Sequence, residues 1–313
     1  MQLIAILLIT VSILTLLSGI IVFLGSKKGE KGKTAWFLIA TIFATLWMIS
    51  ISIFLIAPPE WSDTIAWHVN WTYINAIFID VALLGYIVWN QKYGKLITLI
   101  FLVLGTILIT VFVINPGLLY TEIILSGSGN SLVTNIGPYY FIYIAFFSLL
   151  VPTVIGSLLY QIIKTRSERK KGGELVLLIG FMISGTASLI FNLILPFWRW
   201  DLIWIGPLAI STTIIAFYYS ILRYRALNLS SIGLKILSYV VIMASLAIVY
   251  MIIFSIIFAA MFKGSTPSTE VIMLNFIMIL IFLLLMPALN ELNVFIRPLI
   301  TGQKNGKQGN DAE

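Results

Sequence analysis

Asp80 is the one acidic residue set well inside a long apolar run, with Ile77, Phe78 and Ile79 before it and Val81, Ala82 and Leu83 after it. A carboxylate deep in a bilayer costs about 2.5 kcal/mol or more, so such a group faces a protein interior and is protonated, hydrogen-bonded or put to use. Two roles stay open for it: a proton- or ion-linked function, and a structural hydrogen bond to Asn192 or to a Ser or Thr of another segment. The same run carries His68, Trp71 and Asn75 at i, i+3, i+7 spacing, which places them on one face of a helix. An imidazole, an indole and an amide sharing a face call for a cavity or a partner helix. That set suits binding better than bond-breaking chemistry.

Around these residues gather Trp61, Trp67, Tyr139, Tyr140, Tyr143, Trp198, Trp200 and Trp204. The interfacial belt of aromatic side chains found at headgroup level accounts for most of them. The asymmetry of aromatics, amides and the single His toward one side makes His68, Trp71, Asn75, Tyr143, Trp198 and Trp204 the candidate ligand pocket. Its occupant would be a small, hydrophobic or aromatic-bound molecule. Arg199 and Asp201 read as a surface pair rather than a ligand anchor.

Catalytic chemistry finds little support. With no Cys and one His, the chain offers no thiolate nucleophile, no disulfide framework and no conventional zinc site. An intramembrane aspartyl protease needs two paired aspartates, and a retinal Schiff base needs a Lys near the centre of a late span. Neither is present, so no metal, cofactor or enzymatic activity is expected. The net charge of +7 does not point to nucleic acid, because the Lys and Arg residues sit at the ends of apolar runs rather than along one exposed stripe.

The elements that must position these residues follow from hydropathy. Of the 313 residues 60% are hydrophobic and 10% charged, against roughly 25% charged in a soluble domain, so lipid is the solvent. Runs of about 20 residues, enough to cross hydrocarbon, extend over 2–25, 34–56, 64–89, 96–114, 139–163, 174–195, 202–221, 234–262 and 271–289. The expected fold is an all-α polytopic membrane protein, a seven-helix bundle plus two additional transmembrane helices. Basic residues from Lys27 to Lys33, Lys164 to Lys171, and at Arg223 and Arg225 all fall on one side if the N-terminus is outside and the C-terminus inside. This positive-inside pattern sets the orientation, and the plasma membrane, crossed many times, is the expected location. The longest outer connection holds two short β-forming segments, Tyr120 to Leu125 and Leu132 to Ile136, around a Gly- and Ser-rich stretch, the pattern of a small hairpin. Pro287 to Ile300 reads either as an amphipathic juxtamembrane helix or as the frayed end of the last span, and the polar tail as disordered.

Several features in order resemble the N-terminal seven-transmembrane region of bacterial membrane histidine kinases: Thr45-Leu46-Trp47; Tyr139 to Tyr160 followed by the basic loop Lys164 to Lys171; Gly180 with Asn192; Gly206-Pro207-Leu208; and the exit segment Ile221-Leu222-Arg223-Tyr224-Arg225-Ala226-Leu227-Asn228-Leu229. The resemblance implies a sensor region over 1–229, and two added helices over 230–289 fit an arrangement seen in such kinases; a cytoplasmic juxtamembrane helix and tail are expected over 290–313. It implies that a signal is received in the membrane region and passed to a cytoplasmic kinase, another signalling partner or an output domain. Arg223, Tyr224 and Arg225, with Pro287 to Ile300, would be the transmitting residues. After Pro287 there is no phosphoacceptor His and no ATP-binding box, so kinase activity is not expected. Pairing into a homodimer stays open, as do two other functions: a small transporter or channel using Asp80 and Asn192, and a structural subunit of a membrane complex.

Overall fold

The computed structural model describes residues 2–56, 62–115, 118–126, 131–194 and 204–224. These hold seven α-helices: α1 (Gln2–Gly25), α2 (Lys31–Ile56), α3 (Ser62–Val88), α4 (Gly94–Ile114), α5 (Tyr140–Lys164), α6 (Glu168–Ser188) and α7 (Ile205–Tyr224). A π-helical turn, Leu189–Ile194, continues α6. Five of these helical stretches are long and apolar enough to cross a membrane. The helical solution is forced by the solvent: hydrocarbon offers no hydrogen bonds, so each segment must satisfy its own backbone. Hydroxyls on the lipid-facing side follow the same rule. Thr10 donates to the Ile6 carbonyl (2.9 Å), Thr106 to Leu102 (2.7 Å) and Thr110 to Thr106 (2.8 Å). Each polar group is thus absorbed by the preceding turn of its own helix.

The first span is read from the sequence with the bounds observed, whereas α2 starts at Lys31 rather than Thr34 and α6 at Glu168 rather than Glu174. Loss of hydropathy marks the edge of the hydrocarbon, but a helix goes on until its backbone finds another partner. Lys31 shows why the added turn is stable: its ammonium donates to the Phe23 carbonyl (2.6 Å) in the last turn of α1 and lies 4.5 Å from the Phe23 ring. A cation there complements the partial negative charge at a helix C-terminus. The expected hairpin forms as β1 (Tyr120–Ser126) and β2 (Ser131–Ile136), antiparallel, with Leu125 opposite Leu132, Ile124 opposite Val133 and an irregularity between Tyr120 and Glu122. It contacts α3, and the end of the bundle that carries it is termed here the hairpin end. The opposite end, with Lys27, Lys31 and Lys164, is the lysine end. The chain divides into two compact units, Met1–Ile242 and Met243–Glu313, and all described residues belong to the first. The expected eighth and ninth spans, the segment 290–300 and the tail lie outside the described residues.

Within the first unit α3 is the central helix. It packs on α2, α4 and α5, while α7 packs on α1, α2 and α6. Every residue from Val81 to Val88 is buried. By contrast α4 leaves Leu99, Ile100, Val103 and Ile107 about half exposed, as a lipid-facing helix should. The core near the lysine end is an aromatic triad of Phe37 (α2), Tyr86 (α3) and Phe217 (α7). Phe37 stacks on Phe217 at 5.9 Å, and Tyr86 meets Phe217 edge-on at 5.3 Å and Phe37 at 6.1 Å. Lys33 is buried beside it, its ammonium 4.6 Å from the Tyr86 ring. Side-chain hydrogen bonds also join the helices: Thr45 donates to Ser12 O (3.1 Å), Gln161 to Ile87 O (2.6 Å) and Ser220 to Gly173 O (3.1 Å).

Candidate functional site

The aromatic triad fixes how α2, α3 and α7 are set against one another, and counting from it locates the polar residues. Trp47 lies ten residues beyond Phe37; Asn75 lies eleven before Tyr86, and Gly206 eleven before Phe217. Each interval runs toward the hairpin end and spans about three turns, or about 16 Å. The three positions therefore reach one level of the bundle; eleven residues keep Asn75 and Gly206 within about 20° of the triad's faces, whereas ten turn Trp47 about 80° from the face of Phe37. A second contact supports the α2–α3 register: Phe43 and Phe78 stack at 4.6 Å, and Trp47 and Asn75 each lie about one turn further out on the same faces.

Gly206 brings α6 into this level. A Cβ at Gly206 would fall on the Asn192 carboxamide, and one at Gly180 would fall on Ala216. Two separate sequence motifs are thus the two halves of one α6–α7 contact, closed further by the Ser184–Thr213 hydroxyl pair and by Thr213 donating to Gly180 O (3.1 Å). The π-helical turn holding Asn192 is capped from α5: the Tyr140 hydroxyl donates to Asn192 O (3.1 Å) and Leu193 O (3.3 Å). Carbonyls at a helix end lack intrahelical partners, and Tyr140 supplies one.

Several polar atoms near this level have no partner; elsewhere among the described residues Gln91 Nε2, at the lysine end, is another. Asn75 is wholly buried and neither its Nδ2 nor its Oδ1 has a hydrogen-bond partner. The same holds for both amide atoms of buried Asn192, for Trp47 Nε1 and for Ser188 Oγ, one turn from Asn192. Unlike the threonines of the lipid-facing side, an Asn or Trp side chain is not absorbed by its own preceding turn.

The other expected site residues divide. Tyr143 is buried and meets Tyr73 edge-on at 4.9 Å. Tyr73 is two residues from Asn75, about 200° round the helix, so Tyr143 and Asn75 lie on opposite sides of α3 and do not share one pocket. Trp204 is half-buried, and its carbonyl accepts from Leu208 N (3.4 Å) at the start of α7. Asp80 is part-buried, seven residues past Tyr73 on the same side, facing α5 and within electrostatic reach of Tyr143. A hydrogen bond between Asp80 and Asn192 is not formed, since both amide atoms of Asn192 lack a partner; the two residues sit at different levels. His68 and Trp71 belong to α3, and Arg223 and Tyr224 to the last turn of α7. The side chains of these four, and Trp198 and Arg225 as a whole, lie outside the described residues. Among the described residues no group of His, Cys, Asp and Glu is placed to hold a metal. Sequence reasoning missed Trp47 and Ser188 as site residues. The signal for Trp47 was its place in the Thr45-Leu46-Trp47 motif, away from either end of its helix.

The described helices pack on one another, and five helical stretches are long and apolar enough to cross a membrane, as in a polytopic helical membrane protein. The model of the N-terminal 7TM region of histidine kinase matches residues 6–230, and the chain belongs to that family. It is a membrane sensory module, the matched region being the sensor part of those kinases rather than their catalytic part. No curated protein matches the chain.

Proposed function

We propose that this chain is a receptor of the plasma membrane that takes a small external or membrane-borne ligand at the hairpin half and relays occupancy through α7 to a cytoplasmic kinase, another partner or an output domain. The hairpin end faces outward in this reading, the lysine end faces the cytoplasm, and nine spans are divided as 1–229, 230–289 and a cytoplasmic 290–313. The observation that carries it is Asn75, a fully buried amide with no partner on the face shared by His68 and Trp71. Trp198 and Trp204 complete the approach from the α6–α7 connection. Tyr143, across α3, supports the Tyr140 cap instead of the pocket itself.

Relay follows from α7 being one uninterrupted helix. It begins at the level of Asn192 with Gly206, passes the aromatic triad at Phe217, and reaches Arg223 and Tyr224. A ligand shifts its position only by binding two states with different affinity. The chain itself carries out no reaction in this reading. Transport through Asp80 and Asn192 is the weaker alternative, because no hydrogen bond joins the two.

The chain has no Cys, so a single cysteine at Tyr219, exposed near the lysine end of α7, carries a spin label without background. Protein in nanodiscs titrated with a lipid and metabolite panel should give at least one compound that both raises Tm and changes the label's mobility, with both effects lost in Trp71→Ala. A panel with no effect on either readout, or Lys170 labelled from the outer face, refutes the reading.

A further inference from the structure

The level formed by Trp47, Asn75, Ser188 and Asn192 has a definite hydrogen-bonding character. It presents one indole N–H, two carboxamides and one hydroxyl, all buried and all without partners. Its described side chains carry no formal charge: Asp80 faces α5 from the other side of α3, and Lys33 is held at the triad. Buried polar groups are ordinarily satisfied, and several unsatisfied ones at one level mark a place where something else supplies the bonds. Gly206 lets α7 come up against the Asn192 carboxamide, which fills the place a side chain there would take.

We infer that this level binds an uncharged carboxamide group, whose two N–H groups donate to Asn75 Oδ1 and Asn192 Oδ1 while its oxygen, with two lone pairs, accepts from Trp47 Nε1 and one of the two side-chain amides. A carboxylate would satisfy donors but leave the two amide oxygens facing negative charge. An ammonium would leave Trp47 Nε1 and the amide N–H groups unsatisfied. Neutral amide chemistry satisfies both kinds of group and brings no charge into a low-dielectric interior. The group arrives on an amphiphile from the bilayer or on a small molecule from water. The inference rests on the receptor reading and specifies its ligand class.

Three probes of one chain length separate the chemistry: decanamide, decanoate and decylamine, added to the protein in zwitterionic nanodiscs, with butanamide as the water-borne form. Decanamide should raise Tm in a saturable way and bind about tenfold or more tightly than either charged analogue. Asn75→Leu and Asn192→Leu should each weaken decanamide about tenfold, and Trp47→Phe somewhat less. Without any probe Asn75→Leu should melt above the unsubstituted protein, because it removes an unpartnered amide; this arm also shows that the variant folds. Butanamide matching the effect assigns a water-borne source, and decanamide acting alone a membrane-borne one. Equal binding of all three decyl probes, wild-type affinity in Asn75→Leu, or a lowered melting point for that variant overturns the inference. Amide binding that leaves the label at position 219 unmoved would keep the site and refute only the relay.

Discussion

Phe217→Ala tests the register on which the site depends. The ring is fully buried and meets Phe37 at 5.9 Å and Tyr86 at 5.3 Å. In a soluble protein, truncating such a ring costs about 3–5 kcal/mol, much of it transfer of the ring to water. Here the unfolded reference stays in lipid, which is as apolar as the core, so the transfer part is nearly absent and packing remains. Two aromatic pairs at about 0.5–1.5 kcal/mol each give about 1–3 kcal/mol. Detergent-to-SDS unfolding in mixed micelles measures this directly. A double-mutant cycle with Phe37→Ala should return a coupling of about 0.5–1.5 kcal/mol. Purely additive single substitutions would mean that α2 and α7 do not meet at the triad, and the alignment of Trp47, Asn75 and Gly206 would lose its basis.

Gly206→Val should disturb the α6–α7 contact by forcing Asn192 aside, lowering stability by about 1–3 kcal/mol in the same assay, whereas Gly156→Ala, inside α5 where a Cβ meets nothing, should not lower the unfolding midpoint and should raise it slightly. Thr213→Val removes the bonds to Ser184 and Gly180 O, and interhelical bonds in membranes average about 0.6 kcal/mol each, so a loss of about 0.6–1.2 kcal/mol is expected by SDS titration. Lys31→Met deletes the cation at the end of α1, with an expected cost of about 0.3–1 kcal/mol that shrinks at high salt.

Much of the architecture is legible in the residues because the bilayer imposes so simple a rule. A run of about 20 apolar residues becomes a helix whatever its neighbours do, and seven such runs appear as helices at or near the expected places. The hairpin is legible for a different reason: β-forming Ile and Val residues flank a Gly- and Ser-rich stretch. Helix starts were less legible, as Lys31 and Glu168 show, since charged residues leave the hydrocarbon without ending the helix. In the site, the i, i+3, i+7 spacing put Asn75 on the face of His68 and Trp71, but no spacing within one helix could show that Tyr143 belongs to the other side of α3.

From the amino acids alone came the solvent, the number and order of helices in the matched region, and the family, because these depend on local composition and on motifs read in chain order. Which polar groups share a level was decided by tertiary packing. Trp47, Asn75 and Asn192 are separated by 28 and 117 residues in the chain, and only the aromatic triad and the Gly206 contact bring their helices into alignment. Lipid dictates that a span be helical and apolar; it does not dictate how one helix is rotated or shifted against the next. That choice belongs to side-chain packing, and here it leaves buried amides without partners.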